Sequence, residues 1–133
     1  MILCGALAGF VYTGVLTGEI PGRAQAWRFA HLNGLVNGAI LVALSGASTQ
    51  VSLSGTGQRW LVLLTVSGSY SNVVASMLGA ALGQRGLSAS GPGANVVVFG
   101  LFVFAVVALL TGLILVIIGA WRSLAGPLRK DQV

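Results

Sequence analysis

Val96–Trp121, VVVFGLFVFAVVALLTGLILVIIGAW, runs for 26 residues without a charged side chain and with a single hydroxyl, at Thr111. About 20 apolar residues cross the ~30 Å hydrocarbon layer as a helix, so this stretch predicts a membrane span. Working outward toward the N-terminus, three more uncharged stretches appear: Trp60–Leu82, Ala30–Gly46 and Met1–Thr17, of 23, 17 and 17 residues. All nine formal charges fall in the short segments between and after them. They are Glu19, Arg23 and Arg28; Arg59; Arg85; and Arg122, Arg129, Lys130 and Asp131. Charges clustered at the ends of apolar runs are a topology signal. The expected fold is therefore all-α: one integral membrane domain over residues 1–133, a four-helix bundle with spans at about 1–17, 30–46, 60–82 and 96–121.

Composition excludes the other classes. A soluble domain carries roughly 25% charged residues, whereas this chain has 7%, with 56% hydrophobic residues. Disordered chains are apolar-poor and charge-rich, the opposite pattern. Cys4 is the lone cysteine, so no disulfide can form within the chain. The gaps hold helix breakers: Gly18 to Gly22 with Pro21, the Ser/Thr/Gly-rich Ser45–Gly57, and Gly83 to Gly93 with Pro92. Trp27, Trp60 and Trp121 fall at span ends, where indoles favour the headgroup zone. The first stretch lacks the basic n-region and cleavage site of a signal peptide, so it is read as a true span, with further residues expected upstream of it.

With four spans both termini share one side. Arg59, Arg122, Arg129 and Lys130 lie there against Arg23, Arg28 and Arg85 opposite, which puts both termini in the cytoplasm. The net charge of +5 is thus read as loop orientation, and nucleic-acid binding is not expected, since no soluble basic face exists. The lipid bilayer is the expected partner; Arg129-Lys130 falls short of a polybasic lipid-binding cluster.

Helices in lipid associate through close backbone approach and hydrogen bonds. The pairs Gly5/Gly9, Gly34/Gly38 and Gly79/Gly83 each place two glycines one turn apart on a helix face. Four short helices enclose little interior, so a sizeable cofactor is expected between protomers of an oligomer.

Polar groups inside spans are the functional candidates. The second span has His31, Asn33 and Asn37; the third has Thr65, Ser67, Ser69, Tyr70, Ser71, Asn72 and Ser76. One histidine without an intramembrane carboxylate gives neither a hydrolase triad nor a three-ligand zinc site. Two readings of His31 stand: a histidine near a helix start bonded to a carbonyl or water, or an axial ligand to haem iron, for which one imidazole suffices. C-x-x-C-H is absent, which excludes c-type haem. Asn37 lies about 240° around an ideal helix from His31, so a shared site would draw His31 from one protomer and Asn37 from a neighbour. Asn37 equally suits interhelical hydrogen bonding, and Asn72 is read as part of a polar seam with Ser67, Ser69 and Ser71.

The order Glu19, Pro21-Gly22, Trp27-Arg28-x-Ala30-His31, Asn37-Gly38, Asn72, Arg85-Gly86-Leu87 and Gly91-Pro92-Gly93 resembles the styrene oxide isomerase family, small four-span bacterial membrane proteins. The resemblance runs from Met1 to about Arg122. It implies a multi-pass protein of the cytoplasmic (inner) membrane, a homotrimer with haem b between protomers. It further implies iron acting as a Lewis acid on an apolar aryl epoxide, which undergoes Meinwald rearrangement to an aldehyde, with an epoxidase upstream. His31 is then the haem and metal ligand, and Asn37 a catalytic group holding the epoxide oxygen. The family has an active-site tyrosine four residues after the asparagine of the third span; here that position is Ser76, the second catalytic candidate. The substitution keeps an alternative open: a membrane haem b protein serving redox or ligand binding without isomerisation.

Overall fold

The computed structural model describes residues 1–125, and within them four helices and no strand. They are α1 (Ile2–Leu16), α2 (Ala24–Ser48), α3 (Gly55–Ala81) and α4 (Gly93–Ala125). The tail residues Arg129, Lys130 and Asp131 lie outside the described residues. α2, α3 and α4 are long and apolar enough to cross a membrane, while α1, at 15 residues, is shorter.

The helices outrun the uncharged stretches, because a helix can continue into the headgroup zone where charge is solvated. α2 takes in Arg28, α3 takes in Arg59 and α4 takes in Arg122. The expected break over Ser45–Gly57 shrinks to residues 49–54, with Gly46 inside α2 and Gly55 and Gly57 inside α3. What starts α3 is Ser54, whose side chain accepts from the Gly57 amide at 3.2 Å, a conventional N-cap. The short connection is also fastened to α4: Ser123 Oγ donates to the Gln50 carbonyl, and the Gly119 carbonyl accepts from the Ser52 amide.

α3 ends in a Schellman turn. Gly83 has φ +65°, and the Gln84 amide donates to the Gly79 carbonyl at 2.9 Å. Gly83 is therefore a helix stop, and the expectation that it packs helices together is corrected for that glycine, where a Cβ would meet nothing within 4 Å; Gly79 is buried, and a Cβ there would touch Val98 of α4 at 3.5 Å.

Neighbours in sequence are neighbours in space. α1 packs on α2, α2 on α3 and α3 on α4, with α1 grazing α3 and no extended α1–α4 interface. Small residues set these approaches. On the α3–α4 seam a Cβ on Gly112 would sit 2.8 Å from Thr65 Cγ2, and one on Gly68 3.0 Å from Ala108 Cβ; Ser71 Oγ donates across it to the Leu101 carbonyl at 2.8 Å. Trp60 and Trp121 are exposed, as expected for interfacial indoles. Trp27 is not: it is half-buried against Ala8, Ala30 and Ala80.

Candidate functional site

The site begins with the glycines of α1 and α2. A Cβ on Gly34 would lie 2.5 Å from Gly5 Cα, so the two helix backbones touch there. One turn further along α1, Gly9 leaves a niche that the imidazole of His31 fills: a Cβ on Gly9 would stand 2.6 Å from Nδ1. In that niche Nδ1 lies 2.8 Å from the Gly5 carbonyl oxygen. A carbonyl can only accept, so Nδ1 carries the proton and donates. Nε2 is then left with its lone pair, makes no hydrogen bond among the described residues, and is not sealed from the surface. This is how a metal-binding imidazole is commonly held, with one nitrogen fixed by a carbonyl and the other free to ligate.

The second part is a polar knot between α2 and α3, with Asn33 at its centre. Asn33 Oδ1 accepts from Asn37 Nδ2 at 2.8 Å and from Asn72 Nδ2 at 3.2 Å. Its Nδ2 donates to Ser76 Oγ and to the Asn72 carbonyl. Ser76 Oγ in turn donates to the Asn72 carbonyl at 2.7 Å. All four hydrogen-bonding positions of the Asn33 amide are thus occupied. Both protons of Asn37 Nδ2 are also engaged, on Asn33 Oδ1 and the Asn33 carbonyl at 2.9 Å. Offering one to a substrate oxygen means exchanging an Asn33 bond for it. One turn earlier on α3, the hydroxyl of Ser69 is fully buried and has no partner.

The structure brings Asn37, Asn72 and Ser76 together and leaves His31 out: His31 faces α1, and the amide knot faces α3. The angular separation of His31 and Asn37 expected from helix geometry therefore holds within the chain. Sequence reasoning missed the role of Asn33. Its signal was present, since Asn33 and Asn37 stand four apart on one face and both lie in a span. Ser76 additionally lines a cavity of about 470 Å³ walled by α2, α3, α4 and the turn after α3. Its hydroxyl is already donated to Asn72 and accepting from Asn33, so the serine shapes the cavity wall and fixes the amides.

As to a haem, the donor chemistry fits: a single fixed imidazole with an open Nε2 is a donor that would hold its iron. Among the described residues no three His, Cys, Asp or Glu side chains gather into a multidentate metal site, which such ligation does not need.

With this geometry in place, comparison with known proteins adds two findings. A family model described as styrene oxide isomerase matches residues 1–121. The chain is also 29% identical over 137 aligned positions to hydroxylaminobenzene mutase HabB of Ectopseudomonas oleovorans, covering 98% of this chain and 79% of that protein. No solved structure matches. The matches support a membrane protein of the isomerase or mutase type.

Proposed function

This chain belongs to the styrene oxide isomerase family, and from that premise we propose that it is a haem b-dependent membrane isomerase converting an apolar aryl epoxide to an aldehyde. The observation that carries the reading is the His31 imidazole, pinned through Nδ1 to the Gly5 carbonyl with Nε2 open. Iron held there supplies a Lewis acid for an epoxide oxygen. The rearrangement is internal: the benzylic C–O bond breaks, a hydride moves from the neighbouring carbon, and C=O forms without added proton or electron. The chain's own residues then have three tasks. Gly5 and Gly9 hold the imidazole, Asn37 exchanges one of its Asn33 bonds for the substrate oxygen while its other bond to Asn33, itself held by Asn72, keeps the amide in place, and the uncharged helices keep out water that would trap the cation as a diol. Ser76 acts through Asn33 and Asn72 as a positioning residue.

His31 and Asn37 point to different sides of α2, which supports a site shared between protomers, one giving His31 and a neighbour Asn37; that the oligomer is a homotrimer is what the family resemblance implies. The protein would sit in the cytoplasmic membrane with both termini inside, receiving epoxide from an epoxidase.

The mutase relative favours a second substrate class. That protein is named for hydroxylaminobenzene, and Ser76 stands where the family resemblance places tyrosine. An aryl hydroxylamine makes the same demand as an epoxide, polarisation of a bond to oxygen in a dry apolar site.

The test is purification in detergent, Soret spectroscopy, and incubation with styrene oxide and with hydroxylaminobenzene. Expected are a Soret band lost in His31→Ala and an isomeric product from one of the two. A Soret band unchanged in His31→Ala removes the haem ligand. A His31-dependent band with no isomer from either compound leaves the redox or ligand-binding alternative.

A further inference from the structure

The cavity beside Ser76 has two chemically distinct ends. At one end stand Arg23, the residue preceding α2, and Arg85, in the turn after α3. Both mark helix ends next to Pro- and Gly-rich connections, where a bilayer spanned by α2 and α3 would set its headgroups. About 10 Å deeper, seven residues back along α3 from Gly83, the walls are Phe29, Ala75 and Phe102. The one hydroxyl at that depth, on Ser76, is already bonded inside the protein. Two cations at the interface above an apolar floor match an amphiphile with an anionic head and a hydrocarbon tail, in the orientation a bilayer gives it. A soluble anion would use the arginines and leave the floor bare. Glu19 is the only acidic side chain among the described residues, so at most one of the two arginines can be neutralised from within them. The volume, about 470 Å³, takes a headgroup and the start of one chain.

We propose that this cavity is a binding site for an anionic phospholipid, its phosphate held between Arg23 and Arg85 and the first part of an acyl chain lying along Phe29 and Phe102. The site does not depend on the reaction proposed above. Basic pockets between membrane helices on the cytoplasmic side recognise acidic headgroups in this way, and Arg23 and Arg85 would present the same chemistry on the opposite face.

The experiment is native mass spectrometry of the detergent-solubilised protein, delipidated and titrated with phosphatidylglycerol or phosphatidylcholine. Wild type is compared with the R23Q/R85Q and R59Q variants, the last removing an exposed arginine elsewhere. Wild type is expected to retain one phosphatidylglycerol per chain and to prefer it over phosphatidylcholine by about tenfold or more. R23Q/R85Q should lose that preference with an unchanged melting temperature, and R59Q should keep it. Equal retention by wild type and R23Q/R85Q overturns the proposal, as does an equal loss in R59Q, which would mean diffuse attraction. If R23Q/R85Q loses haem while phosphatidylglycerol binding is unaltered, the arginines serve the haem carboxylates and the lipid assignment is wrong.

Discussion

Replacing Gly9 with alanine tests the seat of the imidazole. The new Cβ would stand 2.6 Å from His31 Nδ1 and 2.9 Å from Cε1, against an ordinary contact of roughly 3.4–4 Å between such atoms. The ring must retreat by about 0.8 Å. Along the hydrogen-bond direction this stretches the 2.8 Å contact to the Gly5 carbonyl to about 3.6 Å, which is no longer a hydrogen bond. The lost bond costs about 1 kcal/mol and the crowding about 1–3 kcal/mol. Alanine's advantage over glycine inside a helix offsets roughly 0.5–1 kcal/mol of this. A net loss of about 1–3 kcal/mol remains. Where the imidazole ligates iron, losing the carbonyl that orients it should weaken haem binding about 10–100-fold. The control is Gly100→Ala, on a face of α4 where a Cβ meets nothing within 4 Å. Haem titration followed at the Soret maximum, with thermal unfolding in the same detergent, reads both effects. The reasoning is refuted if Gly9→Ala and Gly100→Ala melt together and bind haem within twofold of each other.

Other substitutions probe the remaining contacts. Gly34→Ala places a Cβ 2.5 Å from Gly5 Cα and 2.6 Å from Gly5 N; backbone cannot rotate away, so thermal unfolding should show a larger loss of stability than in Gly9→Ala, about 3 kcal/mol or more. Asn33→Leu strands the amides of Asn37 and Asn72, and unfolding in detergent should show a loss of about 1–3 kcal/mol. Ser69→Ala removes a buried hydroxyl with no partner, so stability should hold or rise by up to about 1 kcal/mol; a clear loss would mean that the hydroxyl binds something inside the membrane. Ser76→Tyr gives up the bonds to Asn33 and Asn72 and sends a phenol into the cavity. Aldehyde formation from styrene oxide should increase, and no gain with the Soret band intact would show a pocket shaped for another substrate.

Much of the fold is legible because lipid allows so few solutions. Charge placement alone locates four helices, since nothing else satisfies backbone polar groups in hydrocarbon. Their ends are less legible: Arg28 and Arg59 interrupt the apolar pattern but not the helix, because propensity and capping continue into the headgroup layer. Gly79/Gly83 and Gly5/Gly9 have identical spacing in sequence, yet Gly83 ends a helix where Gly5 and Gly9 let side chain and backbone approach. Only the positive φ of Gly83 and the backbone of α2 against Gly5 separate them. The candidate site was readable as a residue inventory, His31, Asn37, Asn72 and Ser76. The hub was not, because Asn33 becomes central only when α2 and α3 are in register, and register is a tertiary property. The seat of His31 likewise depends on α1, 22 residues upstream of it at Gly9.

The length of α4 carries a consequence of another kind. Its 33 residues extend about 50 Å at 1.5 Å per residue, well beyond the ~30 Å hydrocarbon layer. A helix longer than the layer tilts or thickens the bilayer around it, at a fraction of a kcal/mol per Å. α4 packs along α3, the helix that carries Asn72 and Ser76, so a change in its tilt is felt on the α3–α4 seam. Acyl-chain length in the host membrane becomes a physical variable coupled to that seam, and lipids differing by a few methylenes should tune this protein without touching any polar residue.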